Sequence, residues 1–162
     1  MEDNEILALT RVIHVLAVII WIGGVAMVTM VLIPSIRKLK SKEEQVKTFE
    51  QIEGRFAFIA KIMTVLTALS GFYMLDKLNA WNRYFDFRFW WLHAMTLIWL
   101  IFSLVLFVLE PFFLHKLFKK QAEKNQETTF RIMYKLHLIL LLLSLITTAG
   151  AVAGSHGWFL LK

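Results

Sequence analysis

The chain of 162 residues contains no cysteine, two prolines and seven glycines, and only 19% of it is charged. Without cysteine there is no disulfide framework, no CxxC redox pair, no thiolate metal site and no iron–sulfur cluster. No proline- or glycine-rich linker or low-complexity segment divides the chain, so it reads as one domain. No phosphate loop, nucleophile triad or HExxH pair is present. Charge is too scarce for disorder, and polar surface too scarce for a soluble domain. The hydrophobic fraction is 58% and the mean hydropathy +0.62, whereas a soluble domain is about 45–50% apolar.

What is present is four long apolar stretches. They predict helices over about 6–36, 54–76, 88–117 and 130–157. Each has roughly 20 or more apolar residues, enough to cross a hydrocarbon core of ~30 Å at 1.5 Å per residue. Backbone polar groups cannot be left bare in lipid, so the stretches must be helical. The leading MEDNE is acidic and the run behind it long, so the first stretch reads as a mature transmembrane helix and not a signal peptide. Segments 37–53 and 116–129 mix charged and apolar residues and are expected to extend the helices beyond the membrane. Short connections favour an all-α, integral membrane, antiparallel four-helix bundle.

Charge orients that bundle. The formal net charge is +6. Thirteen of the 18 basic residues fall on the connections between helices 1 and 2 and between helices 3 and 4, or beside them. The positive-inside rule places those connections in the cytoplasm and both termini in the periplasm of a bacterial inner membrane. The basic charge is then topological, with some attraction to anionic lipid, and no nucleic-acid partner is expected. Trp81, Trp90, Trp91 and Trp158 fit an aromatic belt at the outer interface.

The histidines carry most of the chemistry. An ionisable group inside a membrane helix marks a functional site by default. His14 lies about 12 Å and His93 about 6 Å below the outer helix ends at 1.5 Å per residue. His156 sits at the outer end of helix 4. His115 and His137 occupy the inner half. Two neutral imidazoles from different helices at similar depth can take the two axial positions of one haem iron. His14 and His93 are the expected metal ligands, with His156 in reserve for the second position. Arg11, one turn outward of His14, and Arg88 or Arg83 could hold haem propionates. Trp21 follows His14 by seven residues, on the same face. A second haem between His115 and His137 is not favoured, because the fourteen-residue spacing of diheme cytochromes b is absent.

Other signals have two readings each. Gly23, Gly24, Ser70, Gly71, Gly150 and Gly154 make room either for a flat ring or for close helix packing. Glu110-Pro111 could kink helix 3, with Glu110 carrying protons or simply meeting the interface. Methionines are soft ligands suited to Cu(I), but here they are spread over all four helices.

The segment Arg11-Val-Ile-His14 through Trp21-Ile-Gly23-Gly24 resembles the opening helix of CopD-like membrane proteins and of the related HemJ-type protoporphyrinogen oxidases. Gly54-Arg55-Phe56 and Leu69-Ser70-Gly71-Phe72-Tyr73 are similar to the CopD-like pattern of helix 2. The resemblance covers helices 1 and 2 well and helices 3 and 4 in layout only. It implies a four-helix inner-membrane protein, with the first-helix His, here His14, as a haem b ligand. The HemJ-type Tyr-Leu-Pro-Arg segment reads Met30-Val-Leu-Ile-Pro34-Ser-Ile-Arg37 here, and His93 stands where that family places Lys. Those departures favour a six-coordinate His14–haem–His93 centre for electron transfer, with a quinol or a periplasmic redox protein as partner. The alternatives are a HemJ-like oxidase, a CopD-like copper transporter and a structural subunit. A homo-oligomer is left open.

Overall fold

A computed structural model describes residues 3–158, with the side chains of 113–119 and 121–123 outside the description. The described chain is all α. Four helices are long and apolar enough to cross a membrane: α1 Asp3–Ile36, α2 Lys42–Lys77, α3 Phe87–Phe112 and α4 Lys124–Ser155. Large apolar side chains such as Leu16, Ile19, Phe58, Leu69, Leu142 and Ile146 are exposed along them. A lipid-facing surface wants that pattern and an aqueous one does not. The chain is a multi-pass membrane protein.

Local chemistry sets the helix ends. Ser41 and Glu44 form an S-x-x-E start for α2, and the Ser41 hydroxyl accepts the Glu44 N–H at 3.3 Å. This cap puts the start of α2 at Lys42, twelve residues before the apolar stretch begins, so segment 37–53 is mostly helix. Asn79, with φ 49°, turns the chain after α2. Two short 3₁₀ turns, Trp81–Phe85 and Phe87–Phe89, then lead into α3. Both prolines coincide with loosened helix. Pro34 follows the π-helical Val28–Leu32, and Pro111 lies inside the π-helical Val105–Leu114. A proline has no N–H for the carbonyl four residues back, so the regular ladder cannot pass through it. The helical backbone that continues from α3 breaks at Asn125, with φ −153° and ψ 89°. Glycine in the left-handed region, Gly157 at φ 84°, closes α4.

Contacts between α1 and α2, and between α2 and α3, pair residues in opposite chain order. His14 meets Ser70 while Gly24 meets Phe56. Between α2 and α3, Thr64 meets Trp99 and Lys61 meets Glu110. One core cluster joins all four helices through Trp21, Val25, Ala60, Phe102 and Leu141. A second joins Val28, Ile33 and Ile36 to Phe49 and Phe130. Three of the glycines, Gly24, Gly150 and Gly154, are close-packing positions. A methyl on Gly24 would overlap the Phe56 ring, one on Gly150 the Trp90 indole, and one on Gly154 the Trp91 indole. Gly71 differs: a methyl there would stand 3.4 Å from His14 Cε1.

Candidate functional site

His14 is fixed by α2. Its Nδ1 lies 2.9 Å from Ser70 Oγ and 3.1 Å from the Thr67 carbonyl oxygen. The Ser70 hydroxyl spends its one hydrogen on helix carbonyls, those of Leu66 and Thr67. Towards His14, Ser70 Oγ is therefore an acceptor, as the carbonyl must be. Nδ1 carries the proton and donates it, and Nε2 keeps its lone pair. No protein donor meets Nε2 among the described residues. Metal-binding imidazoles share this arrangement, with the far nitrogen tied down and the near one free.

A cavity of about 400 Å³ opens beside this ring, walled by all four helices and the turns between α2 and α3. That lies within the ~300–1,000 Å³ of small-molecule sites. His14, Trp21, Thr67, Tyr84, Met95 and Trp99 are part of its lining. The wall is mainly apolar. Two buried polar atoms of residues that line it, Trp21 Nε1 and Thr67 Oγ1, have no protein partner among the described residues, and a buried donor left unmade costs roughly 1–3 kcal/mol.

The expected site residues separate. His14 and Trp21 line the cavity; His93 is absent from its lining. The His93 Nε2 lies 2.9 Å from the Tyr84 carbonyl, which it serves as donor, and Nδ1 lies 3.4 Å from that of Phe89. Its ring stands edge-on to Tyr84 and stacks on Phe87. It fastens the turns between α2 and α3 to α3 itself. Arg88 grips Asp86 with Nε at 2.9 Å and a terminal nitrogen at 2.7 Å, and its N–H caps onto the same carboxylate. That guanidinium and N–H hold the Asp86 carboxyl below its ordinary range. Arg83 lies over the Phe89 ring at 5.1 Å and reaches the cavity rim. Arg11 is exposed on α1. His156 is exposed, with Nδ1 2.8 Å from the Val152 carbonyl. His137 is half-buried, with Nδ1 2.9 Å from the Met133 carbonyl. The side chain of His115 lies outside the described residues, and so does any pairing with it.

Haem b fits part of this set. His14 supplies one neutral nitrogen with a fixed tautomer in an apolar cavity. His93 could supply a second only by leaving the Tyr84 carbonyl. Among the described residues no group of three or more His, Asp or Glu side chains gathers as a metal cage.

Sequence alone does not name the partners of His14 or of Lys61. Thr67 and Ser70 belong to a run of small hydroxyl residues, Thr64, Thr67 and Ser70, whose regular spacing in an apolar helix was the available signal. Lys61 meets Glu110 at 2.7 Å across α2 and α3, and Glu53 lies within electrostatic reach of both. A lysine six residues inside an apolar stretch implies a partner, although sequence spacing does not name it. Compared with known proteins, the chain matches no family model, no curated protein and no solved structure.

Proposed function

We propose that this protein is a b-type haem-binding cytochrome that moves electrons in the bacterial inner membrane, with a quinol or a periplasmic carrier as partner. One observation carries the reading. The His14 Nδ1–H is donated to α2, which leaves Nε2 unprotonated at the wall of an apolar cavity. Haem, when bound, supplies reversible one-electron chemistry. The protein's own part is to hold His14 in one tautomer and exclude water with apolar walls. The helices run up and down with both termini periplasmic, in keeping with the charge asymmetry of the connections.

The test is a visible absorption spectrum of detergent-purified protein, as isolated and after dithionite. A Soret band that sharpens and shifts on reduction is expected, and His14→Ala should abolish it. His93→Ala then decides the second ligand: loss of resolved α and β bands assigns His93 to the iron, and retention leaves it as the fastener of the turns between α2 and α3. Colourless protein from haem-replete cells would sink the cytochrome reading.

A second reading has its own observation. Met74 and Met95 line the same cavity as His14, and thioether plus imidazole suits Cu(I). It predicts colourless protein that binds Cu(I), with loss of binding in Met95→Leu.

A further inference from the structure

A second concavity, of about 610 Å³, lies at the other end of the helices. It sits where α1 has ended, α2 begins and α4 begins. Arg37, Lys42 and Lys124 all line it, together with Gln45, Asn125 and Gln126. These are three cations from three separate parts of the chain. Among the described residues, Glu127 is the one carboxylate in the lining.

The hollow is built. Gln126 is 93% buried, being 7% exposed. Its Nε2 donates to the Lys42 carbonyl at 2.7 Å and to Gln45 Oε1 at 3.2 Å. Gln45 in turn donates to the Leu39 carbonyl at 2.7 Å. These bonds tie the ends of α1, α2 and α4 together and so fix where the cations stand. The non-helical backbone at Asn125 lets α4 start here, and Asn125 Oδ1 caps it by accepting the Thr128 N–H at 3.0 Å. None of Arg37, Lys42 and Lys124 has a carboxylate within ion-pair distance among the described residues. Like charges brought together repel, and an anion between them would relieve the repulsion. The site stands at the membrane end of three helices, on the side where most of the chain's Lys and Arg are placed.

We infer that this hollow binds the phosphodiester head of an anionic membrane phospholipid. The ligand chemistry is a phosphate oxygen met by a guanidinium and two ammonium groups. A lipid is the source because Arg37, in the lining, directly follows the apolar run of α1, which brings the hollow within reach of headgroups, and basic pockets between membrane helices take acidic lipids. An anchored headgroup would bridge α1, α2 and α4 at the end farther from the His14 cavity. This inference does not depend on what occupies that cavity.

Native mass spectrometry of the detergent-solubilised full chain tests it, with phosphatidylglycerol and phosphatidylcholine titrated separately. The wild type should retain phosphatidylglycerol and discriminate against phosphatidylcholine. The variant R37Q/K42Q/K124Q should weaken phosphatidylglycerol binding by about a hundredfold, on roughly a fivefold step per cation. The control K38Q/K40Q/K47Q removes the same charge from the same membrane side outside the hollow, and should leave binding within a few-fold of wild type. Equal loss in the two triple variants would overturn the proposal in favour of a general basic surface. Glu127→Gln keeps every cation and should tighten binding, which maintains the test if the triple variant does not fold; unchanged binding would count against the site. Millimolar inorganic phosphate should neither displace the lipid nor raise the melting temperature as phosphatidylglycerol does. If it does both, the occupant is soluble phosphate and the lipid assignment fails.

Discussion

At the scale of single residues, His14 and His93 are both membrane histidines near the N-terminal ends of their helices, and their surroundings give them different work. His14 gives its one proton to the Thr67 carbonyl and Ser70 Oγ and keeps a lone pair on Nε2. His93 gives its proton to the Tyr84 carbonyl. Ser70→Ala removes one of two acceptors behind His14. It should lower haem occupancy at limiting haem by about tenfold, in line with outer-shell changes at metal sites, while the band positions remain recognisable. Absorbance per mole of protein, read against the wild type, checks this. His93→Ala should lower the melting temperature in detergent, because a hydrogen bond worth ~1 kcal/mol is lost along with two ring contacts.

At the scale of elements, the interfaces depend on a few close approaches. The Gly154 position lies against the Trp91 indole with no space for a side chain. Gly154→Ala should destabilise the α3–α4 contact by about 1–3 kcal/mol, measured as a lower melting temperature. Gly23→Ala, in open space, should change little and serves as its control. The Lys61–Glu110 pair joins α2 to α3 at 2.7 Å, with both side chains less than a third exposed. Lys61→Met or Glu110→Gln alone leaves an unpaired charge inside an apolar span and should destabilise. The double variant should recover most of the loss, since two neutral groups avoid the desolvation penalty that the lone charge carries. A double-mutant cycle of melting temperatures reads the coupling. The entry to α3 depends on Asp86, which caps it and grips Arg88. The folded carboxyl titrates below its ordinary value of 3.8, so its contribution is complete above that pH. The contribution is lost as pH falls from 3.8 through the folded value. Tryptophan fluorescence from the turns between α2 and α3 should therefore change in that acid window, and Asp86→Asn should flatten the change.

At the scale of the whole molecule, four apolar helices expose many large side chains, aliphatic and aromatic, and pack a mixed core of aliphatic, aromatic, hydroxyl and small residues between them. Membrane helices associate in this way, because the bilayer removes any hydrophobic reward for turning leucines inward. That much was legible in the sequence. Run lengths of about 20 apolar residues demand membrane helices, and each helix was found where its run lay, with ends shifted by local signals such as the Ser41–Glu44 cap. The placement of His14 inside an apolar helix was legible as well, because depth follows from position along the run. The sequence determined these features by itself because each depends on neighbours along the chain: apolar length, caps, and prolines without an N–H. The tertiary structure alone decided that Thr67 and Ser70 hold Nδ1 of His14, that His93 turns to the Tyr84 carbonyl, that Glu110 meets Lys61, and that indole rings fill the glycine notches. Those choices join residues about 10 to 60 positions apart. They follow from how the helices rotate and slide against one another until side-chain volumes interlock, a condition on pairs of surfaces that no single stretch of sequence specifies.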